Sequence, residues 1–348
     1  MSGLDIRWGT DLVTFFDPAY WGLPADLPYS EWDAVVTEAP RPYFDRMLDE
    51  AAQVGLSGIE LAPAPGGWVN AIKAFGGTNE FAASLTDRGL ALSSSYVLPT
   101  WLTGVLDAED SDQRQLAEQA ADDQFRRHAE FARTLGCDTV VTSTIPRAPF
   151  SEIEGIGADQ AAFERPADPA LLELVAEQLN RLGRVTSESG VHIAIHTDAY
   201  SLCSRTGDVD RLMELTDPDT VRLCPDAGHI SLDDGDPLEI VRRHGHRSPV
   251  LHWKDCACPL APHTLSGAPM VRHDVMIKYF RLMGTGVVDW HEWTRILRDS
   301  NWRGWGIAEI DMSPDPKGEI QAGLDYFARE LAPIIDGHHP STTSLPDS

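Results

Sequence analysis

Basic residues are scarce in this chain: 28 Lys and Arg stand against 54 Asp and Glu, a net charge of −26. Nucleic acid is held through cationic contacts to phosphate, so this balance argues against it as a partner. Long apolar runs are missing too. No stretch of 18 or more apolar residues occurs, so no membrane span is expected. The five cysteines (Cys137, Cys203, Cys224, Cys256 and Cys258) form no CxxC pair. Structural disulfides are therefore not expected, which fits a reducing compartment. The opening MSGLDIRWGT has neither a basic n-region nor an apolar h-region, so the expected location is cytoplasmic. No GxGxxG follows the first strand candidate, and a dinucleotide-binding open sheet loses its main signature.

What is present is an alternation of β-type apolar runs with amphipathic helical segments. Strand candidates occupy 6–16, 57–63, 90–97, 138–144, 191–198, 221–229, 249–256 and 305–311. Between them lie patterns such as PYFDRMLDEAAQVG and QLAEQAADDQFRRHAEFARTLG, which end in glycine as helix C-caps do. Eight strands with apolar interiors, mostly followed by helices, indicate parallel βα units. At 348 residues the natural closure is a (β/α)8 TIM barrel, one domain over 1–336 with extended βα loops. Extra sequence falls at 17–35, 98–115, 145–168 and 257–283, and 337–348 reads as a disordered tail.

In such barrels the strand C-termini build the active site. The four late strands end in ligand-type residues: His196 and Asp198, Asp226 and His229, His252 with Lys254 and Asp255, then Glu309 and Asp311. One such residue is ordinarily a cap or a satisfied core group. Four sets at the same end of adjacent strands would be very unfavourable to bury without a partner, and a divalent cation is the economical one.

The stretches HTDAYS, LCPDAGHI, DDGDPLEIVRRH, HWKDC, MGTGVVDWHE and WRGWGIAEID follow one another as in the sugar phosphate isomerase/epimerase superfamily. These are the xylose-isomerase-like TIM barrels, and the chain resembles them well over roughly 170–312. Within the superfamily it is most similar to inosose dehydratases, and to the catalytic subunits of C-glycoside deglycosidases, which act on 3-keto glucosides. The resemblance implies a metal site with a carboxylate from strand five, Asp from six, His from seven and Glu from eight. Asp226, His252 and Glu309 match it directly. Strand five departs, with His196 where the epimerases place Glu and Asp198 two residues on. The expected cofactor is one divalent metal ion held by His196 or Asp198 with the other three. Mixed N/O ligation suits Mn²⁺ first, with Co²⁺, Fe²⁺, Zn²⁺ or Mg²⁺ as alternatives.

Such a cation polarises a ketone and stabilises the enediolate formed when the neighbouring C–H is deprotonated. The expected function is a lyase that expels a β leaving group from a keto-sugar or keto-glycoside. The alternative on the same scaffold is an isomerase or epimerase. Proton-carrier candidates are His229, Lys254 and Asp198. Asp255 reads as a partner that orients an imidazole. For substrate contact the candidates are Glu60 at the end of strand two, Trp101 beside Trp21 and Trp68 in early loops, and Arg272 and His273 after strand seven. The expected assembly is a homo-oligomer or a complex with a small accessory subunit.

Overall fold

The computed structural model describes residues 4–335, so the tail read at 337–348 lies outside the described residues. Eight strands form one parallel sheet: β1 (Asp5–Asp11), β2 (Gly58–Leu61), β3 (Ala91–Val97), β4 (Thr139–Thr142), β5 (His192–His196), β6 (Val221–Cys224), β7 (Val250–Trp253) and β8 (Arg303–Ala308). Each pairs with its sequence neighbour from β1 to β6; β8 pairs with both β1 and β7. The ring closes between β6 and β7 through a single bridge, Asp226 opposite His252, with the His252 amide donating to the Pro225 carbonyl at 2.9 Å. This is the expected (β/α)8 barrel. Its interior is filled by Val141, Ala194, Cys224, Val250, Trp305 and Ile307, a cluster of strand residues alone, as barrel filling requires.

Six strand runs are read about correctly, but the first and sixth end early. β1 stops at Asp11 because that carboxylate accepts from the Val13 amide at 2.7 Å and starts a 3-10 turn, Leu12–Phe15. β6 stops at Cys224 because Asp226 caps the helix Ala227–Leu232. Asp, Asn, Ser and Thr compete with the ladder for backbone amides in this way. Helix starts follow the same chemistry: Asp110 caps Ser111–Thr134, and Asp168 followed by Pro169 opens Pro169–Ser187. The longest predicted helix ends, as its sequence suggests, at Gly136 with φ 74. Among the described residues, no helix is long and apolar enough to cross a membrane.

The inserted segments are not bare loops. Helices Tyr29–Glu38, Thr100–Leu106 and Pro269–Met276 begin within them. Asp255 and Cys256 form a short antiparallel ribbon with Arg281 and Phe280. Asp255 organises this region and does not orient an imidazole. Its buried carboxylate accepts from the amides of Cys256, Gly284, Gly286 and Val288 and from the Trp290 indole N–H. Trp290 in turn stacks on Trp253 of β7, ring centroids 5.1 Å apart. One charge thus ties the loop after β7 to the core beneath it.

Removing that acceptor leaves five donors without a partner, three of them buried: the amides of Cys256 and Val288 and the Trp290 indole. Asp255→Ala should therefore lower unfolding stability by about 3–5 kcal/mol, read as a shift of the urea midpoint. A change under about 0.5 kcal/mol would show that water replaces the carboxylate.

Candidate metal and active site

The C-terminal ends of β5 to β8 meet as a buried cluster. Asp226 is the hub. Its amide donates to Thr197 Oγ1 at 2.8 Å, and its Oδ1 accepts from the His229 amide at 2.9 Å. Capping therefore fixes one oxygen and turns the other, Oδ2, into the site. Oδ2 lies 3.5 Å from His196 Nε2, 3.6 Å from His252 Nδ1 and 3.3 Å from Lys254 Nζ, yet makes no directed hydrogen bond. Helix Ala227–Leu232 sits tightly on Lys254: a Cβ on Gly228 would fall 2.8 Å from Lys254 Cγ. The glycine of PDAGH thus lets the cap and the lysine coexist.

Lys254 is 1 % exposed and surrounded by acids. Its Nζ is 2.7 Å from Glu309 Oε1 and 2.6 Å from Asp311 Oδ1, besides Asp226. Burial opposes its charge, but Asp226, Asp311 and Glu309 outweigh that and hold its pKa well above the ordinary value. Glu309 is shared, its Oε2 lying 2.5 Å from His252 Nδ1. Burial, partly offset by Lys254 and His252, raises the Glu309 pKa. Burial also opposes charge on His196, but Asp198 at 2.7 Å from Nδ1, with Asp226, raises its pKa well above normal. Both ring nitrogens of His196 thus face carboxylates, Nδ1 on Asp198 and Nε2 on Asp226. Asp198 Oδ2 accepts from the Tyr96 hydroxyl at 2.9 Å, so both its oxygens are engaged.

Three ligand-type atoms, one each from His196, Asp226 and His252, lie within 4.8 Å of one another. An orphaned carboxylate oxygen between two imidazoles, ringed by further acids, fits a divalent cation, and N/O donors suit a first-row metal. Glu309 stands beside this trio rather than inside it. Asp198 reaches the trio only through His196.

The remaining candidates divide. His229 faces the cluster, its ring centroid 5.4 Å from that of His196. Its Nδ1 accepts from the Ala199 amide at 3.1 Å, which places its proton on Nε2. Burial and Lys254 bring its pKa down to about 4. Glu60 is fully buried, with Oε1 3.2 Å from His252 Nε2 and Oε2 accepting from the Ser94 hydroxyl. It touches a site residue and has no surface for substrate. His273 joins the site, its Nε2 3.1 Å from Asp311 Oδ2. Arg272 instead bonds the Gly267 carbonyl and lies 4.5 Å over the Phe150 ring, so it braces its own loop. Trp101 is buried, its indole donating to Thr142 Oγ1 at 3.1 Å. Trp21 stacks on Trp32 and Trp68 packs on Phe131. These three tryptophans pack the early loops and form no common wall.

Sequence reasoning missed Asp11 and Tyr96. Asp11 shares a hydrogen bond with Glu60; burial first, then the Glu60 charge, pushes its pKa well up. At Glu60 burial also disfavours charge, but His252 and the bonds from Asp11 and Ser94 hold it down at about 2. The signal for Asp11 was available, since WGTD ends its strand as the late strands end theirs.

A family model for the xylose isomerase-like TIM barrel matches residues 48–330. An inosose dehydratase of Bacillus velezensis is 25% identical over 251 residues, 71% of this chain and 80% of that protein. One of Lacticaseibacillus casei is 26% identical over 284 residues, 81% and 86% respectively. A solved 3-keto-D-glucoside 4-epimerase of E. coli superposes with TM-score 0.57 at 13% identity, covering 93% of this chain and 99% of its own. D-psicose 3-epimerase of Clostridium cellulolyticum gives 0.59 at 14%, covering 94% and 99%; at such identities the likeness is of fold.

Lys254→Met strands three buried carboxylates. In chelator-containing buffer it should cost about 3–5 kcal/mol of unfolding stability. A loss below about 1 kcal/mol would show that the ammonium is not what neutralises them.

Proposed function

The chain belongs to the xylose isomerase-like TIM barrel family, and on that premise we propose a divalent-metal-dependent lyase acting on keto-sugars or keto-cyclitols. It removes the proton beside a carbonyl and expels a β substituent. The observation that carries the reading is the trio of His196, Asp226 and His252 set against the buried Lys254 ammonium. Inosose dehydratases among the relatives, found at 25–26% identity over most of the chain, support an enzyme acting on sugars and favour elimination.

His196, Asp226 and His252 would hold the ion, with Glu309 Oε2 beside His252 completing the donor set. The chemistry such an ion supplies when bound is polarisation of a carbonyl and of its neighbouring hydroxyl; Mn²⁺ suits the donors, as do Co²⁺, Fe²⁺ and Zn²⁺. Lys254, kept cationic by its three acids, stabilises negative charge on the substrate oxygen as the C–H is broken. The second oxygen of Glu309, on Lys254, is the carboxylate oxygen set to take that proton. His229, neutral and with its proton on Nε2, hydrogen-bonds to the departing group, which takes up the proton that Glu309 abstracted. Asp198 orients His196, and His273 steadies Asp311 behind Lys254.

An unactivated sugar C–H is far too weakly acidic for such a base. Substrates are therefore oxidised sugars or cyclitols supplied by a separate dehydrogenase, since this chain carries no GxGxxG after its first strand.

Incubation of metal-loaded protein with an inosose, a 3-keto glucoside and the parent glucoside in D₂O tests this. Elimination from the keto compounds only, abolished by EDTA, is expected. Deuterium-labelled isomers without elimination would establish the epimerase instead, and cleavage of the parent glucoside would overturn the carbonyl requirement.

His229→Ala should retain metal stoichiometry but lose about 10²–10⁴-fold in turnover. Asp226→Asn should lose metal as well, measured by elemental analysis after gel filtration. Full occupancy in Asp226→Asn would remove it from the donor set.

A further inference from the structure

His252 has two ring nitrogens and an acid at each. Nδ1 points to Glu309 Oε2 at 2.5 Å and Asp226 Oδ2 at 3.6 Å; Nε2 points away from that group, to Glu60 Oε1 at 3.2 Å. Glu60 Oε1 and His252 Nε2 are both buried and neither makes a directed hydrogen bond, which leaves each facing the other at 3.2 Å as the charged group within reach. The two nitrogens cannot share one role. A neutral imidazole carries a proton on one nitrogen and a lone pair on the other, and only the lone pair can bind a cation.

The sheet is built to aim Glu60 at this nitrogen. Pairing between β2 and β3 runs Ile59 to Leu92 and then Glu60 to Ser94, a register slip that skips Ser93. Such irregularities re-aim side chains beside active sites. The slip sets Ser94 directly opposite Glu60, where its hydroxyl donates to Oε2. On the other side β1 pairs Asp11 with Glu60, and the Asp11 carboxyl bonds to it. Two strands thus fix the carboxylate and leave Oε1 free for His252. Glu60 is 0 % exposed, so substrate cannot reach it past the imidazole.

We infer that Glu60 is a positioning residue for the metal centre. It holds the proton of His252 on Nε2 and so makes Nδ1 the ligand atom, while Asp11 and Ser94 hold Glu60. This rests on the metal-centre reading above. It assigns three residues of β1 to β3, on the far side of the ring from Asp226, to a site whose ligands all come from β5 to β8. An imidazole backed by a carboxylate is a more basic and better-oriented ligand, and loss of such a partner lowers metal affinity about 10–100-fold.

The test uses the full chain labelled with ¹⁵N-histidine and loaded with ¹¹³Cd²⁺. The expected result is cadmium coupling to His252 Nδ1 and a proton on Nε2. Coupling to Nε2 overturns the inference while leaving the metal centre intact. Failure of the wild type to take up cadmium, and equally Mn²⁺, overturns the metal centre itself. A chelator competition on variants gives the second readout. Glu60→Leu should weaken metal binding 10–100-fold. Glu60→Gln, whose amide oxygen still accepts from Nε2, should fall between Glu60→Leu and wild type. Affinities within twofold of wild type in both variants overturn the inference. If Glu60→Leu does not fold, the cadmium coupling in the wild type decides alone.

Discussion

Lys254 sits where no water can help it, and the mouth of the barrel is arranged around that fact. Burying an ammonium is tolerable only with acids close by and well placed, and Asp226, Glu309 and Asp311 come from the turns after β6 and β8 to meet it. The acids in turn exceed what one lysine neutralises. Two imidazoles, His196 and His252, enter the same space and share the remaining carboxylate oxygens. A cation added there does not create a new requirement; it meets one already present in the charges. The fold of the barrel mouth and the proposed metal centre rest on the same contacts.

Economy of side chains marks the site. Asp226 ends a strand, starts a helix with one oxygen and offers the other to the trio. Asp11 does the same on β1, capping a 3-10 turn while bonding to Glu60. A residue that caps cannot rotate freely, because its first oxygen is pinned by a backbone amide. Caps therefore make rigid presenters of functional atoms, and preorganisation comes from ordinary secondary-structure chemistry.

The late-strand residues were legible because their pattern is local: an apolar run ending in His, Asp, Lys or Glu needs no knowledge of distant contacts. Asp11 obeys the same pattern but stands alone on its strand, with no second ligand type beside it. Asp255 misled for the opposite reason. It adjoins HWK in sequence, yet most of the donors it serves are 29–35 residues downstream, a partnership that no local motif encodes. Arg272 and the three tryptophans were read by residue type, and packing decided otherwise: Phe150 takes the guanidinium and Thr142 takes the Trp101 indole. The register slip beside Glu60 is a property of paired strands and invisible in either one.

The ring is not uniformly knit. Its first and last strands, nearly 300 residues apart in sequence, are matched over five residue pairs, whereas β6 and β7, close neighbours in the chain, meet at one bridge. That bridge joins Asp226 to His252. The least costly place to part the staves of this cask is therefore the place where the His196, Asp226 and His252 cluster is assembled, and local opening follows the fewest bonds. A chain whose sheet has formed but whose last seam gapes is nearly all native in secondary structure and lacks the contact between Asp226 and His252. Anything that bridges the two residues acts as a hoop, so closing the ring and assembling the cluster are a single event.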